Sequence, residues 1–204
     1  MREYDRIADW YAATRDPEVG VVEVAALLRD LPARPRVIDA GCGHGLPIAR
    51  HLVRAGATVM GIDSSREMVS RFRAALPEVA VRCERLETAD VPRGSADAVV
   101  AWGVLFHLGR PAQRTGLRRM ASWLRPGGRL LFTSGAEAGE REGTMDGVSF
   151  RYLSLGVAGY RGALAQAGMR LASYHRDAWG NHVYVAHADP ALGVGACNER
   201  EPTP

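Results

Sequence analysis

The chain has 204 residues, 47% of them apolar and 24% charged, which suits one domain with a core that needs neither disulfides nor a metal. Its 26 basic residues are all arginine and face 23 acidic ones, for a formal charge of +3. Without lysine, a P-loop lysine, a Schiff-base lysine and a pyridoxal-phosphate anchor are excluded, because each needs the ε-amine itself.

In chain order, residues 3 to 13 place Tyr4, Ile7, Ala8 and Tyr11 at helical spacing. Residues 18 to 31 repeat the pattern with Val21, Val22, Val24, Ala25, Leu27 and Leu28, and stop before Pro32. The period then changes. Val37 to Ala40 reads as a strand entering a glycine cluster, followed by a helix from about Leu46 to Ala55. Thr58 to Ile62 and Arg66 to Leu76 form the next strand and helix, and Val79 to Cys83 a third strand. Asp97 to Trp102 is a fourth, Ala112 to Leu124 a helix closed by Pro126-Gly127-Gly128, and Arg129 to Thr133 a fifth strand. Strands alternating with helices and apolar on both faces predict a parallel sheet of βαβ units. Ser134 to Gly147, rich in glycine and glutamate, reads as a long loop, and Val157 to Gly168 as a helix. Met169 to Arg176 and His182 to His187 are separated by a short turn at Trp179-Gly180-Asn181, so they are expected to pair antiparallel. The tail from residue 189, with three prolines and two glycines, reads as disordered. Residues 1–188 are therefore expected to form a single domain.

Val37-Ile38-Asp39-Ala40-Gly41-Cys42-Gly43-His44-Gly45 carries the most information. It lies at the carboxyl end of the first strand, where doubly wound sheets place their ligands, and its glycines permit a sharp turn with close approach to backbone amides. Position 46 is leucine, whereas a dinucleotide fingerprint needs glycine or alanine there. Asp39, two residues before the loop, disfavours a pyrophosphate and suits an ammonium group. Asp63 ends the second strand 22 residues after Gly41, a position suited to accepting hydrogen bonds from both ribose hydroxyls. An adenosine ligand with a cationic amino-acid end in place of phosphates is S-adenosylmethionine.

Together, Val37 to Gly45, Val59-Met60-Gly61-Ile62-Asp63, Asp97 to Leu108 and Leu124 to Leu130 resemble the successive motifs of class I S-adenosylmethionine-dependent methyltransferases, over roughly residues 35 to 190. Gly45 to Ala49, Ala101-Trp102, Phe106-His107-Leu108 and Phe132 to Gly135 are also similar to a bacterial subgroup of that family, which implies no particular substrate. The resemblance implies an α/β fold with a Rossmann-like seven-stranded sheet, mostly parallel and finished by an antiparallel hairpin, with helices on both faces and residues 1–31 folding over the cofactor site. By the same resemblance, Asp39, Gly41, Cys42, Gly43 and Gly45 would cradle S-adenosylmethionine, Asp63 would hold its ribose, and Ser64 and Met68 would line its adenosine side. Cys83 to Glu87 would form the adenine loop. The chain departs there from the usual pattern, leaving Glu84 and Glu87 as rival partners for the adenine amine, with Leu86 and Glu87 preferred. Ala101, Trp102 and Gly103 would meet the methionine part, and Tyr11 would fold over it.

His107 follows the fourth strand, where the transferable methyl should point, and stands either as a base for an acceptor hydroxyl or amine or as a packing histidine. Cys42 has no task in methyl transfer and reads as a small loop residue. His44 reads as a loop or capping residue. Phe150, Tyr152 and Tyr160 either line an acceptor pocket or anchor a lid. His175, His182 and His187 lack tight ligand spacing, so no metal site is expected. Arg118-Arg119 is the only adjacent arginine pair, and acids are interleaved throughout, so a small-molecule acceptor is expected ahead of RNA, with a non-catalytic S-adenosylmethionine-binding module as the other alternative. Cys42, Cys83 and Cys197 are odd in number and contain no CxxC, which fits a reducing, cytoplasmic setting. The N-terminus lacks an apolar h-region and no uncharged apolar stretch reaches ~18 residues, so neither a signal peptide nor a membrane association is expected. The expected assembly is a monomer or homodimer.

Overall fold

The computed structural model describes residues 2–189. Apart from Asp189, the expected tail, and Cys197 within it, lie outside those residues. The N-terminal segment forms three helices where two were expected: α1 (Arg2–Arg6), α2 (Ala8–Thr14) and α3 (Val21–Leu28). The break falls at Ile7, whose backbone leaves the helical region while its side chain buries against Val148 and Phe150. Burying a branched apolar side chain there outweighs the hydrogen bond a continuous helix would gain.

The βαβ units follow as β1 (Arg36–Ala40), α4 (Ile48–Arg54), β2 (Thr58–Asp63), α5 (Arg66–Ala75), β3 (Ala80–Cys83), β4 (Ala96–Ala101), α6 (Arg110–Trp123) and β5 (Leu124–Thr133). Every residue of β4 is buried, Asp97 included, as the apolar run over residues 98–101 requires of a central strand. Next come β6 (Ala138–Met145), β7 (Val148–Leu155), α7 (Gly156–Gln166), β8 (Met169–Arg176) and β9 (His182–Ala188). Among the described residues, seven strands form one sheet in the order β3-β2-β1-β4-β5-β9-β8, with β1 to β5 parallel to one another. Strands β8 and β9 pair antiparallel with each other, and β9 pairs antiparallel with β5. The strand order reverses between β1 and β4, which opens a crevice at the carboxyl ends of these parallel strands.

A further expectation is overturned in the last third of the chain. Residues 138–145 are not loop but strand β6, paired antiparallel with β7 from Ala138↔Leu155 to Met145↔Val148. Strand β6 contains no branched apolar residue, and its faces are mostly exposed, so no alternation marks it in sequence. It is a strand because β7, buried at Val148, Phe150 and Leu153, gives it a partner through a tight turn at Asp146-Gly147, both with positive φ.

The hairpin is fixed to the sheet by a buried polar network. Gln113 of α6, fully buried, donates from Nε2 to the Leu108 carbonyl at 2.8 Å and to the Leu153 carbonyl at 2.9 Å. It accepts from the Tyr160 hydroxyl at 2.6 Å, and Tyr160 in turn is hydrogen-bonded to the Ser134 hydroxyl. Gln113→Leu would take the side-chain donor from the Leu108 and Leu153 carbonyls and one of its two partners from the Tyr160 hydroxyl. We expect it to lower unfolding stability by roughly 2–4 kcal/mol, read as a lower urea midpoint at unchanged slope.

Candidate functional site

The crevice holds a cavity of about 340 Å³. Its floor is the glycine loop after β1, its sides are the ends of β2 and β4 and the loop after β3, and its roof is the N-terminal helices. Gly41, Gly43, Asp63, Ser64, Met68, Leu86, Glu87, Trp102, Gly103 and His107 all line it, and so does Tyr11. Asp39 and Cys42 instead border a small adjoining void of about 30 Å³, together with Tyr11, Arg15 and Trp102. Two expected residues stand behind the wall. Ala101 is fully buried among core side chains of β4. Gly45 packs against Leu76 and Phe72, each 3.0 Å from where its Cβ would stand.

The loop differs from the expected cradle of bare amides. Gly41 and Cys42 both donate to the Ile62 carbonyl, Gly43 to the Asp63 carboxylate and Gly45 to the Cys42 carbonyl. With these amides engaged inside the protein, they form no nest for a pyrophosphate. What glycine supplies is space and backbone conformation. Gly41 has φ +80°, and a Cβ there would stand 2.6 Å from the Val104 side chain. A Cβ at Gly43 or Gly103 would meet no protein atom within 4 Å, so both leave room on the cavity side.

Two carboxylates dominate the electrostatics. Asp63 accepts from the Gly43 amide at 2.9 Å through Oδ2 and from the Ser65 amide at 2.8 Å through Oδ1. Burial raises its pKa, opposed by these backbone donors. Asp39 is 2% exposed, and its Oδ2 has no hydrogen-bond partner among the described residues. Burial, reinforced by the nearby Asp63 charge, pushes its pKa up to about 7. A buried carboxylate oxygen left unpaired is costly in isolation and is satisfied by a cation or donor placed in the adjoining space.

Burial also raises the Cys42 thiol well above its ordinary range, so it is no nucleophile, and the sulfur would lie 2.8 Å from a Cβ at Gly61. Leu86 is buried against Gly116. Glu84 and Glu87 both line the cavity, Glu84 accepting from the Asp90 amide and Glu87 paired with Arg85 at 2.9 Å. The loop therefore keeps both carboxylates at the wall.

His107 ends a 3-10 turn (Leu105–His107) and sits in an aromatic cluster with Tyr4, Phe106, Phe150 and Tyr152. Its Nε2 lies 2.9 Å from the Tyr4 hydroxyl. Desolvation lowers its pKa to about 4, so it is neutral at physiological pH and a weak base. Tyr4 escaped the sequence reading as a site residue, because its place in the apolar stripe of residues 3 to 13 signals only a buried face. The N-terminal helices are held over the cavity by polar ties to α5. Asp5 accepts from the Ser65 hydroxyl at 2.5 Å, and Asp9 pairs with Arg71 at 2.5 Å.

A second, wider groove of about 920 Å³ lies between the β6–β7 hairpin and the ends of β5 and β9. Phe106 and Tyr152 line it, while their cluster partners Tyr4 and His107 line the first cavity, so one aromatic partition borders both spaces. The Thr133 hydroxyl, also on the groove, accepts from the Gly103 amide at 2.8 Å. No group of His, Cys, Asp and Glu among the described residues is arranged to hold a metal, and no described helix is long and apolar enough to cross a membrane.

A family model described as a methyltransferase domain matches residues 37–128. The ubiquinone biosynthesis O-methyltransferase of Alkalilimnicola ehrlichii is 36% identical over 116 residues, covering 54% of this chain and 45% of that protein. This chain thus spans less than half the length of that relative. The CcbJ methyltransferase of Streptomyces caelestis superposes with a TM-score of 0.75 at 21% identity, over 92% of this chain and 98% of that one. The 1,6-didemethyltoxoflavin-N1-methyltransferase of Burkholderia thailandensis, solved with S-adenosylhomocysteine, superposes with a TM-score of 0.70 at 21% identity, over 92% and 87% of the two chains.

Proposed function

We propose that the chain, whose residues 37–128 match a methyltransferase-domain family model, is a class I S-adenosylmethionine-dependent methyltransferase that transfers a methyl group from S-adenosylmethionine to an O, N or S atom of a small molecule. The observation that carries the reading is the unpartnered Asp39 Oδ2, buried beside the glycine loop with Asp63 close by. That pair repels a pyrophosphate and satisfies a ligand with an ammonium at one end and a ribose at the other.

The residues present fit such a ligand. Asp39 would take the ammonium, and Arg15, which borders the same small void, its carboxylate. Asp63 would accept from the ribose hydroxyls with the lone pairs its two amide bonds leave over. Ser64, Met68 and Leu86 would enclose the adenine, whose amine would meet Glu87. Trp102 and Gly103, with Gly41 and Gly43, would bound the methionine portion. When bound, S-adenosylmethionine supplies a sulfonium-activated methyl carbon. The protein's task is then alignment and exclusion of water, which Tyr4, Tyr11 and the aromatic partition provide by covering the cavity. His107, neutral and hydrogen-bonded to Tyr4, serves here as a positioning residue at the acceptor side, and the acceptor enters from the wider groove. This assignment requires a nucleophile that needs no strong base.

Calorimetric titration tests the reading. We expect micromolar-range binding of S-adenosylmethionine and S-adenosylhomocysteine and none of NADH. Binding of NADH in place of the adenosyl ligands would assign the glycine loop to a dinucleotide and remove the methyltransferase activity.

A further inference from the structure

On the outer side of the glycine loop lies a third cavity, of about 330 Å³, which shares no lining residue with the central one. Its wall carries Arg15, Arg50, Arg54, His44 and His51, against a single acid, Glu18. Arg50 and Arg54 stand one turn apart on α4, an arrangement that like-charge repulsion disfavours. Neither makes an ion pair among the described residues, although the chain holds nearly as many acids as arginines. His44 is 5% exposed, and its ring has no hydrogen bond among the described residues, only an edge contact to Tyr11.

Arg15, His44 and Leu46 border both this cavity and the small void beside Asp39, whereas Arg50, His51 and Arg54 line the outer cavity without reaching that void. These three therefore stand apart from the groups assigned to the cofactor. We propose that the outer cavity is a binding site for a small phosphate-bearing anion, held by the guanidinium groups of Arg50 and Arg54 with His51 and His44 as further donors. Guanidinium forks match phosphate oxygens in pairs, and the cavity, whose wall also includes Pro47 and Leu46, is large enough for a phosphate ester or diphosphate. An anion there would offset the positive field on His44, whose pKa burial and the neighbouring arginines hold at about 4. It would also brace the loop that ends at Gly45, next to the cofactor cradle.

The probe is inorganic pyrophosphate, titrated calorimetrically into the full chain in a buffer free of phosphate and sulfate. We expect saturable binding with a Kd of about 0.1–1 mM. It should weaken at least tenfold in Arg50→Gln/Arg54→Gln and stay unchanged in Arg73→Gln/Arg93→Gln, which removes the same charge from exposed positions elsewhere. His44 ring resonances should titrate at higher pH when pyrophosphate is present. Absence of saturable binding, or an equal loss in both double variants, would overturn the site. So would mutual exclusion of pyrophosphate and S-adenosylmethionine with both weakened by Arg50→Gln/Arg54→Gln, which would give these arginines to the cofactor carboxylate. Tighter, steeply salt-dependent binding of a short RNA through the same arginines would make the face a nucleic-acid contact and would likewise displace the proposal. None of these readings depends on methyl transfer, so the site stands or falls separately from the proposed activity.

Discussion

Asp63→Ala is expected to bind S-adenosylmethionine at least tenfold more weakly than the parent chain while remaining folded. Each Asp63 oxygen already accepts one backbone N–H, from Gly43 and from Ser65, and a carboxylate oxygen can accept a second donor. Two ribose hydroxyls would fill those positions. A hydrogen bond to a charged acceptor contributes about 1.5–3 kcal/mol, so losing even one accounts for a tenfold effect. The same carboxylate also ties the glycine loop to the start of α5, and its removal leaves two amides unpaired. A fall in stability of about 1–3 kcal/mol should therefore accompany the affinity loss. Calorimetry alongside a circular-dichroism melt separates the two. A lowered melting temperature with unchanged affinity would make Asp63 a purely structural clasp.

For Asp39→Asn the two effects are expected to have opposite signs. The carboxylate is buried with one oxygen unpaired, and its pKa stands at about 7 in the folded protein against 3.8 for an ordinary aspartate. From about pH 4 to pH 7 the unfolded chain has released this proton while the folded chain still holds it. Folded stability therefore falls as pH rises through that window, and the penalty is complete above it. Asparagine carries no such penalty. The variant should gain on the parent in urea unfolding, more at pH 8 than at pH 5, by on the order of a few kcal/mol at the higher pH. Asp63, also raised by burial, contributes a slope of the same sign that the variant keeps. His44 and His107, both depressed to about 4, act oppositely, adding stability above their unfolded pKa that is lost as pH falls through about 4. Comparing variant with parent largely cancels the contributions of all three.

Cofactor affinity of Asp39→Asn should drop about 10- to 100-fold, since the ammonium loses its counter-charge. In the parent chain affinity should rise with pH through about 7 as Asp39 ionises, and that dependence should flatten in the variant. A variant less stable than the parent at pH 8 would mean that Asp39 is already paired in the free protein, and the ammonium site would be withdrawn.

The sequence located the crevice because its signals are local. Apolar runs of strand length, glycines at a strand end and an acid closing the next strand are all read within a dozen residues, and β1 to β5, β8 and β9 followed from them. Strand β6 did not, since its residues gain strand structure only from the partner β7, and partnership is not written in a segment's own periodicity. The same holds at the site. Asp63 and the loop glycines were legible from spacing, whereas Tyr4 against His107, 103 residues apart, was brought there by the packing of α1 on α5 and β7.

Residue identity and spacing set the chemistry on offer: two acids at fixed offsets from a glycine loop, a leucine where a dinucleotide site needs a small residue, and no lysine. Tertiary structure decided how that chemistry is used. It engaged the loop amides inside the protein and left one Asp39 oxygen bare. It lowered His107 to a neutral, hydrogen-bonded ring and gathered scattered arginines around one outer cavity. The physical reason is that hydrogen-bond satisfaction, desolvation and charge proximity depend on neighbours from distant segments, which the order of residues along the chain does not state.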